Sequence, residues 1–492
     1  MLKRIGAEES GEFKAIASGT LPSGKPVIVN ADGTVSSVAQ TSVSESLGSQ
    51  TQFTGTSFGN TQMKDGTFDS ANGKVVQVYY DINNSNYGTA VVGTVSGSSV
   101  TWGTPVVYNS ATTLYNQAAF DSSNGKVVVG YRDTANSHRG TAIVGTVSGN
   151  SISFGSEVVF ETSTTDWMSI VYHEAAQKIV ISYRAVVSGY NRGRSVVGTV
   201  SGTSISFGSA TQYSGGGQYV SSVYDPINEK VVLAYKSQNL SNFSSSNEAI
   251  VGTVSGTSIS FGSGVQFLGG SGNANQVSIA YDTSSTKVVV TCKDEVNNTS
   301  GSAVVGTVSG TSISFGSVVT FQSGNVDFTS VIGFSKGGVV LVYDDQSTGT
   351  NQVVLKVGTV SGTSISFSSG TTLASGTTGG GYVGYSMDTT NDKLIMVYSV
   401  GGSSSYYRVY NPTYTSTNIT SKNYIGISKG GAVANTKGAT VDIIGAVNDE
   451  QSGLTAGQKY YVQTDGTIGT TAATPSVLAG TAISATELLV KT

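Results

Sequence analysis

A pentapeptide, Gly-Thr-Val-Ser-Gly, recurs along this chain at a nearly constant spacing. Its six copies begin at Gly93, Gly145, Gly198, Gly252, Gly306 and Gly358. Successive copies are therefore 52 to 54 residues apart. A fixed period of this length is typical of a fold that repeats one supersecondary structure. The repeat constrains the fold more than any other feature of the sequence.

The residues around each pentapeptide indicate four strands. An apolar segment ending in a large side chain precedes a Lys-led run such as KVVVGY, which is followed by AVVGTV and then, after Ser-Gly, by SISFGS. Runs of β-branched residues predict strands, and Ser-Gly predicts a tight turn. The first segment occurs seven times, ending at Phe68, Phe120, Tyr172, Tyr224, Tyr281, Phe334 and Met387. Seven sets of four antiparallel strands predict an all-β fold, a seven-bladed β-propeller.

The seventh repeat lacks a fourth strand. No SISFGS segment follows its third strand, residues 406–410, whereas SESLGSQTQF at residues 44–53 matches the fourth strand of the other repeats. Because a ring must be closed, we expect this N-terminal strand to complete the last blade. The predicted propeller spans residues 41–411.

The two ends of the chain share a second pattern. Residues 21–35, LPSGKPVIVNADGTV, match residues 454–468, LTAGQKYYVQTDGTI, without a gap. Alternating apolar residues around Asp-Gly predict a β-hairpin with a type I′ turn in each. We expect residues 1–40, an N-terminal hairpin segment, and residues 412–492 to form one small β domain into which the propeller is inserted. The alternative is two independent flexible arms.

The charge of the chain excludes some functions. Its net charge is −4 and only 11 % of its residues are charged, so it lacks the basic footprint of a nucleic-acid-binding protein. No run approaches the roughly 18 apolar residues of a membrane helix, and the start lacks the apolar segment of a signal peptide. We expect no nucleic acid partner, no membrane insertion and no signal peptide. A single cysteine, Cys292, excludes a disulfide framework within the chain.

Both ends of the chain resemble a known family. The C-terminal run that begins NYIGISKGGAVANTKGATVDIIGAVNDE, and ASGTLPSGKPVIVNADGTVS near the start, are similar to segments of structural proteins of tailed bacteriophages, especially marine and environmental ones. The resemblance covers about 110 of the 492 residues, and the propeller matches by architecture alone. It implies a virion surface protein, such as a fibre, spike or knob, that is assembled in the host cytoplasm as a homo-oligomer. It further implies that the terminal β domain attaches to other virion proteins.

The predicted blades have two different ends. Turns between strands one and two, and between strands three and four, are short and uniform. Loops between strands two and three vary, from DINNSNYG to RAVVSGYNRGR and KSQNLSNFSSSNE. Variable loops on a rigid scaffold are the usual place for recognition, so the variable-loop end is the candidate binding surface.

Arginine is concentrated at the variable-loop end. Five of the seven arginines lie in the loops of the second and third blades. The planar guanidinium suits carboxylate, sulfate and phosphate, and aromatic rings nearby can stack on sugars. We therefore predict a site for an anionic host-surface glycan at Arg132, Arg139, Arg184, Tyr190, Arg192, Arg194, Trp167 and Tyr219. Tyr87, Tyr115 and Tyr382 lie near the same rim. The alternatives are solvated loops or a contact between subunits.

The residues give little support for a metal site or a catalytic site. Two histidines cannot build a His-rich metal site, and HExxH and CxxC motifs are absent. Cys292 takes the position of a core aromatic, and His173 takes a turn position. A glycosidase needs a defined pair of carboxylates, and no pair stands out. We expect no catalytic residue, no metal and no cofactor, and a role in host attachment. The alternatives are a purely structural virion component, such as a tail nozzle, adaptor or capsid decoration, and, less favoured, a glycan hydrolase.

Overall fold

The fold is all-β, which confirms the predicted class. The computed structural model describes residues 4–8, 11–53, 58–59, 66–238, 245–269, 273–347, 349–376, 383–400, 404–473 and 475–491. Apart from the 3-10 turn Ile82–Asn84, the regular elements in these ranges are strands. The chain divides into two compact units. We call residues 1–45 with 413–492 the terminal unit, and residues 46–412 the repeat unit.

The repeat unit contains repeats 1 to 7, whose strands we name a to d in the order of the pairing. Strands a are Phe58–Gly59 with Gly66–Asp69, Val106–Asp121, Val158–His173, Gln218–Asp225, Ala274–Asp282, Val326–Gly333 and Val383–Asp388. Strands b are Lys74–Asp81, Lys126–Asp133, Lys178–Val187, Lys230–Gln238, Lys287–Asp294, Val339–Asp345 and Lys393–Val400. Strands c are Tyr87–Ser96, Arg139–Ser148, Tyr190–Ser201, Ser245–Ser255, Ser300–Ser309, Gln352–Ser361 and Ser404–Asn411.

Strands d of repeats 1 to 6 are Ser99–Trp102, Ser151–Phe154, Ser204–Phe207, Ser258–Phe261, Ser312–Phe315 and Ser364–Phe367. All pairings within a repeat are antiparallel, in the order a, b, c, d. Four short strands also pair with strand c of repeats 3 to 6: Thr211–Ser214, Val265–Gln266, Val319–Gln322 and Thr371–Ser375. In repeats 1 and 2 this place is taken by the first half of the next strand a.

Strand b is a continuous run of β-branched residues because both of its faces are buried. Val127 and Val129 pack against repeat 1, whereas Val128 packs against repeat 3. Successive side chains of a strand point to opposite faces, so each sheet lies between two neighbouring sheets. In the described residues, seven apolar clusters each combine two adjacent repeats, and one of them joins Val75 of repeat 1 to Ile395 of repeat 7.

Strand a is the innermost strand of each repeat. The strands a of repeats 1 to 5 contact the next strand a directly, and that of repeat 7 contacts that of repeat 1. The hydroxyls of Ser169 and Ser222 are 2.7 Å apart, and Thr329 Oγ1 donates to the carbonyl of Gln276 at 2.5 Å. Polar groups thus link the inner strands, while the flanking sheets supply the apolar core.

The uniform turns between strands a and b are capped by the side chain at the end of strand a. Asp121 Oδ1 accepts from the backbone N–H groups of Ser123 and Asn124 at 3.0 and 3.1 Å. His173 takes the equivalent position in repeat 3, as the sequence predicted, and its Nδ1 accepts from Ala176 N at 3.1 Å. This hydrogen bond explains how a histidine can replace aspartate as the cap of that turn.

Cys292 stands in a core position. It occupies the place held in other repeats by the fully buried Tyr79, Tyr131, Tyr183, Tyr235, Tyr343 and Tyr398. Its side chain is buried, and this burial raises the pKa of the thiol. Thiol reactivity requires thiolate and access, so Cys292 acts here as a small apolar residue.

The N-terminal segment pairs with the last repeat. Ser46–Leu47 and Thr51–Gln52 both pair with strand c of repeat 7. The next residue, Phe53, is fully buried. Its ring centroid lies 5.6 Å from that of Tyr79 and 5.0 Å from that of Trp102, both in repeat 1. This segment therefore contacts repeats 7 and 1.

The terminal unit combines both ends of the chain. Its six-stranded sheet has the order Arg4–Glu8, Glu12–Ile16, Gly438–Asp442, Tyr424–Lys429, Pro26–Val29, Val35–Ser37. Its five-stranded sheet has the order Val447–Asn448, Leu488–Val490, Leu478–Ala482, Lys459–Val462, Ile468–Gly469. One apolar cluster contains Ile28 together with Tyr460 and Leu488. The two ends are thus paired and packed together rather than independent arms.

The boundary between the units lies after Glu45, not at residue 41. Gln40–Val43 pairs with Tyr414–Thr417, which places it in the terminal unit. Both terminal hairpins form around Asp-Gly, but the turn differs from type I′, which needs positive φ at both central residues. Gly33 has a φ of 81° whereas Asp32 does not have positive φ, because Asp32 Oδ1 instead accepts from Thr34 N at 3.0 Å.

In the described part of the chain, no helix has the length and apolar character needed to cross a membrane.

Substitution Phe53→Ala tests the packing of the N-terminal segment. Because Phe53 is fully buried against two aromatic rings, we expect the free energy of unfolding to fall by about 3–5 kcal/mol. Denaturant unfolding of the full chain measures it. Ile227→Ala is the control, since Ile227 is 68 % exposed. Equal unfolding midpoints for the two variants would contradict this packing.

Candidate functional site

Strand a carries the same irregularity in five repeats. The residues with left-handed backbone are Tyr115, Trp167, Tyr219, Gln276 and Phe328, with φ between 45° and 56°. Each lies where the pairing of strands a and b shifts register. Left-handed φ is strained for a bulky side chain and costs about 1–3 kcal/mol. Glycine or asparagine would adopt this backbone more easily, yet four of the five residues are aromatic.

Three of these aromatic side chains form a row. The ring centroids of Tyr115 and Trp167 are 5.5 Å apart, and those of Trp167 and Tyr219 are 4.1 Å apart. All three are only partly buried. We call them the aromatic row. Three neighbouring repeats thus present a continuous aromatic surface.

The aromatic row lies at the variable-loop end of the inner strands. The residue before each left-handed residue pairs with the end of strand b, where the variable loop begins. The five pairs are Leu114 with Arg132, Asp166 with Arg184, Gln218 with Lys236, Asn275 with Lys293, and Asp327 with Asp344. We call these pairs, together with the left-handed residues, the inner rim.

Two predicted arginines meet at one carboxylate in the inner rim. Asp166, which is buried, accepts from Arg132 Nη1 and, at 2.5 Å, from Arg184 Nη2. Arg132 also lies beside His138, whose Nδ1 is 3.0 Å from Nη2. Burial of the Tyr115 phenol, together with the negative charge of Asp166, raises the pKa of Tyr115 to about 12, so this phenol stays protonated at neutral pH.

The next two repeats place lysines at the same register. Lys236 Nζ donates to Asn275 Oδ1 at 2.9 Å, and Asn275 Nδ2 donates to Glu295 Oε1 at 2.6 Å. Lys293 Nζ lies 4.0 Å from Glu295 Oε1. Burial lowers the pKa of Lys236 and raises that of Asp327. Neither lysine was among the predicted site residues, although a simple signal marks them: each directly follows the last apolar core residue of strand b.

The remaining predicted residues lie elsewhere on the variable-loop end. Arg194, in strand c, pairs with the buried Glu161. Arg192 stands 5.3 Å over the ring of Tyr190, which is 55 % exposed. Arg139 Nη1 donates to Asn136 Oδ1 at 3.3 Å.

The eight predicted residues therefore divide into two groups. Arg132, Arg184, Trp167 and Tyr219 come together in the inner rim. The other four, Arg139, Tyr190, Arg192 and Arg194, belong to strands c, and they contact Asn136, each other and Glu161 rather than the aromatic row. Tyr382 lies outside the described residues.

The opposite end of the inner strands encloses apolar space. Cavities of 410 and 380 Å³ adjoin there and share Glu174, Tyr224, Tyr385, Met387 and Thr389 as lining residues. In the described residues, no cluster of three or more His, Cys, Asp or Glu side chains could hold a metal ion.

No family model and no curated protein matches the chain. Solved structures are similar in fold. The BP39L lectin from Burkholderia pseudomallei has a TM-score of 0.50 at 10 % identity, over 74 % of this chain and 99 % of that one. A PL25 ulvan lyase bound to -[GlcA(1-4)Rha3S]- has a TM-score of 0.50 at 9 % identity, over 75 % and 98 %. The Dos1 propeller has a TM-score of 0.42 at 12 % identity, over 81 % and 88 %.

These similarities concern the fold. The repeats and their antiparallel sheets, together with the two structures that match at a TM-score of 0.50, make the chain all-β and propeller-like. None of the three names is that of a virion protein, so the resemblance of the chain ends remains a prediction.

Substitution Asp166→Ala tests the ion pairs of the inner rim. It leaves two partly buried guanidinium groups without their carboxylate, and we expect a loss of about 1–3 kcal/mol of unfolding free energy, since partial exposure weakens the pairs. Denaturant unfolding measures it. Arg192→Ala, which removes a cation over an exposed ring, should change the value by less than about 0.5 kcal/mol. A result for Asp166→Ala as small as that control would contradict the shared ion pair.

Proposed function

We propose that this protein binds carbohydrate at the inner rim, with the aromatic row as the surface on which sugar rings stack. The observation that supports this most is the strained backbone of Tyr115, Trp167 and Tyr219. Strain kept at equivalent positions of neighbouring repeats is typical of functional sites. Aromatic side chains offer large, rigid contact area with a polar edge, which suits the apolar face and hydroxyl rim of a sugar.

Two further points support the proposal. The pair of arginines on Asp166 places charged hydrogen-bond donors beside the rings. A lectin and a polysaccharide lyase share the fold. At 9–10 % identity these two structures support a similar fold and nothing further. The proposed carbohydrate binding therefore depends on the residues of the inner rim.

We further propose that the repeat unit is a closed seven-bladed β-propeller. The pairing of Ser46–Leu47 and Thr51–Gln52 with repeat 7 supports it. So does the apolar cluster that joins repeats 7 and 1 around Phe53. A closed ring gives every sheet two neighbours and places the inner strands, with their left-handed residues, around one axis.

Deleting residues 41–53 tests the closure. The shortened chain loses the strand that pairs with repeat 7 and the aromatic core between repeats 7 and 1. We expect a large drop in melting temperature and the loss of a stable monomeric ring, measured by thermal unfolding and light scattering. An unchanged melting temperature would refute the closure.

The setting that we propose is the surface of a phage particle. The support is the resemblance of the two terminal segments to virion structural proteins. The terminal unit then attaches the protein to other virion components as a homo-oligomer, and the inner rims bind host glycans without cleaving them. Display of many copies raises avidity without strong single contacts.

Tryptophan fluorescence can test the binding site directly. The chain has two tryptophans, Trp102 and Trp167. In a Trp102→Phe background the emission comes from Trp167 alone, so a shift on adding host-envelope polysaccharide or a panel of purified oligosaccharides reports contact at the aromatic row. We expect a saturable shift. Calorimetry, which does not depend on the emission of Trp167, should show that Trp167→Ala and Tyr219→Ala each weaken binding about fivefold to tenfold, as expected for a stacking contact of about 1 kcal/mol.

Trp102→Phe is the matched control, because Trp102 packs between repeats 7 and 1. It should leave affinity unchanged. Equal affinity for wild type and Trp167→Ala, with both folded, would overturn the proposed site. The same incubations distinguish catalysis from binding, since release of new reducing ends would show an enzyme. If the purified protein has no effect in an adsorption competition on host cells, that result would favour a purely structural component.

A further inference from the structure

We propose that the inner rim selects an acidic sugar, and that Lys236 together with Arg184 binds its carboxylate or sulfate group. This inference rests on the proposed carbohydrate binding and specifies its ligand. It adds a residue that the arginine pattern did not suggest.

Positive and negative charges are separated along the inner rim. In repeats 2 to 4, the paired positions before the left-handed residues hold three cations, Arg132, Arg184 and Lys236, and one carboxylate, Asp166. In repeats 5 and 6 they hold one cation and two carboxylates: Lys293, Asp327 and Asp344. The positive excess thus lies in the same three repeats as the aromatic row.

The surroundings of Lys236 favour an anionic ligand. Among the described residues, the hydrogen-bond acceptor of its ammonium group is a neutral amide, Asn275 Oδ1, and no carboxylate lies within ion-pair distance. Burial lowers the pKa of Lys236, and only the more distant Glu295 opposes this shift. A partly buried cation without a paired anion is costly. An anionic ligand would supply the missing charge.

Lys236 lies beside the stacking surface. It pairs with Gln218, the residue immediately before Tyr219. Arg184 is close enough to influence the phenol of Tyr219 electrostatically. A ring stacked on Trp167 and Tyr219 therefore places an acidic substituent within reach of one ammonium and one guanidinium group, the donors that suit carboxylate and sulfate.

Carboxylates near the aromatic row limit the kind of chain that fits. Asp327 and Glu295 also influence Tyr219 electrostatically, and Glu295 shares Asn275 as a hydrogen-bond partner with Lys236. Carboxylates accept hydrogen bonds from sugar hydroxyls and repel a second acidic group. The site therefore favours an acidic sugar next to a neutral one over a uniformly charged polymer.

The test compares acidic oligosaccharides with their own neutral forms. The probes are hyaluronan hexasaccharide and its carboxyl-reduced form, and chondroitin sulfate hexasaccharide with its desulfated and carboxyl-reduced forms. Calorimetry on the full chain measures each affinity. We expect each acidic probe to bind at least about tenfold more tightly than its neutral form, a difference of about 1.4 kcal/mol, and higher salt to reduce that preference. The two probe families distinguish carboxylate from sulfate.

Lys236→Met should lower the ratio of acidic to neutral affinity to about one, whatever its effect on the affinity for the neutral forms. The matched control is Lys230→Met, which makes the same change at the opposite end of the same strand, Lys230–Gln238, and should have no effect. Lys236→Arg should retain the preference. Melting temperatures verify that each variant is folded.

The outcomes separate this inference from the function on which it rests. If acidic and neutral probes bind with equal affinity, and Trp167→Ala abolishes that binding, the acidic selectivity is overturned but carbohydrate binding is not. A preference that persists in Lys236→Met would overturn the role of Lys236. Failure of every probe to bind would overturn both proposals.

Discussion

The repeat unit depends on the burial of both faces of every sheet. A four-stranded sheet rich in valine and isoleucine cannot cover its own faces, so each repeat is stable only between two others. Val127, Val128 and Val129 show the principle within three residues, since alternate side chains enter the cores on opposite sides. The same requirement explains why Phe53, from the start of the repeat unit, lies in the core between repeats 7 and 1.

This packing also determines where function can reside. Polar links such as Ser169 to Ser222 hold the inner strands together, and most of the buried aspartates among the described residues lie at the ends of strands a and b. At the end with uniform turns, aspartates cap the backbone. At the other end the strands bulge, and partly buried aromatic side chains such as Trp167 pack at the edge of the core. A rigid scaffold can sustain that backbone strain because the surrounding sheets over-determine it.

The same register position then carries different charges in successive repeats. Arg132 and Arg184 share Asp166, while Lys236 has an amide partner. A repeat fold can vary one position per repeat without disturbing the core, and here that variation produces a positive and a negative side. The site is thus made by differences between repeats that are otherwise alike.

Much of the architecture was readable from the pattern of residues. The Lys-led runs predicted strand b, the Asp-Gly hairpins formed, and Cys292 was recognised as a core residue, because these features depend on local periodicity. The cluster of arginines was predicted less well. Arg184 and Arg194 are ten positions apart in neighbouring strands, and only their partners, Asp166 and Glu161, decide which of them lies beside the aromatic row.

The sequence by itself determined the β class, the order of strands within a repeat and the residues that fill the core, because burial imposes a period that can be counted. Only the tertiary structure decided that Tyr115, Trp167 and Tyr219 form one surface and that Lys236 lies beside it. Left-handed backbone at a bulge has no periodic signal. Residues about 52 positions apart become neighbours only when the inner strands pack together.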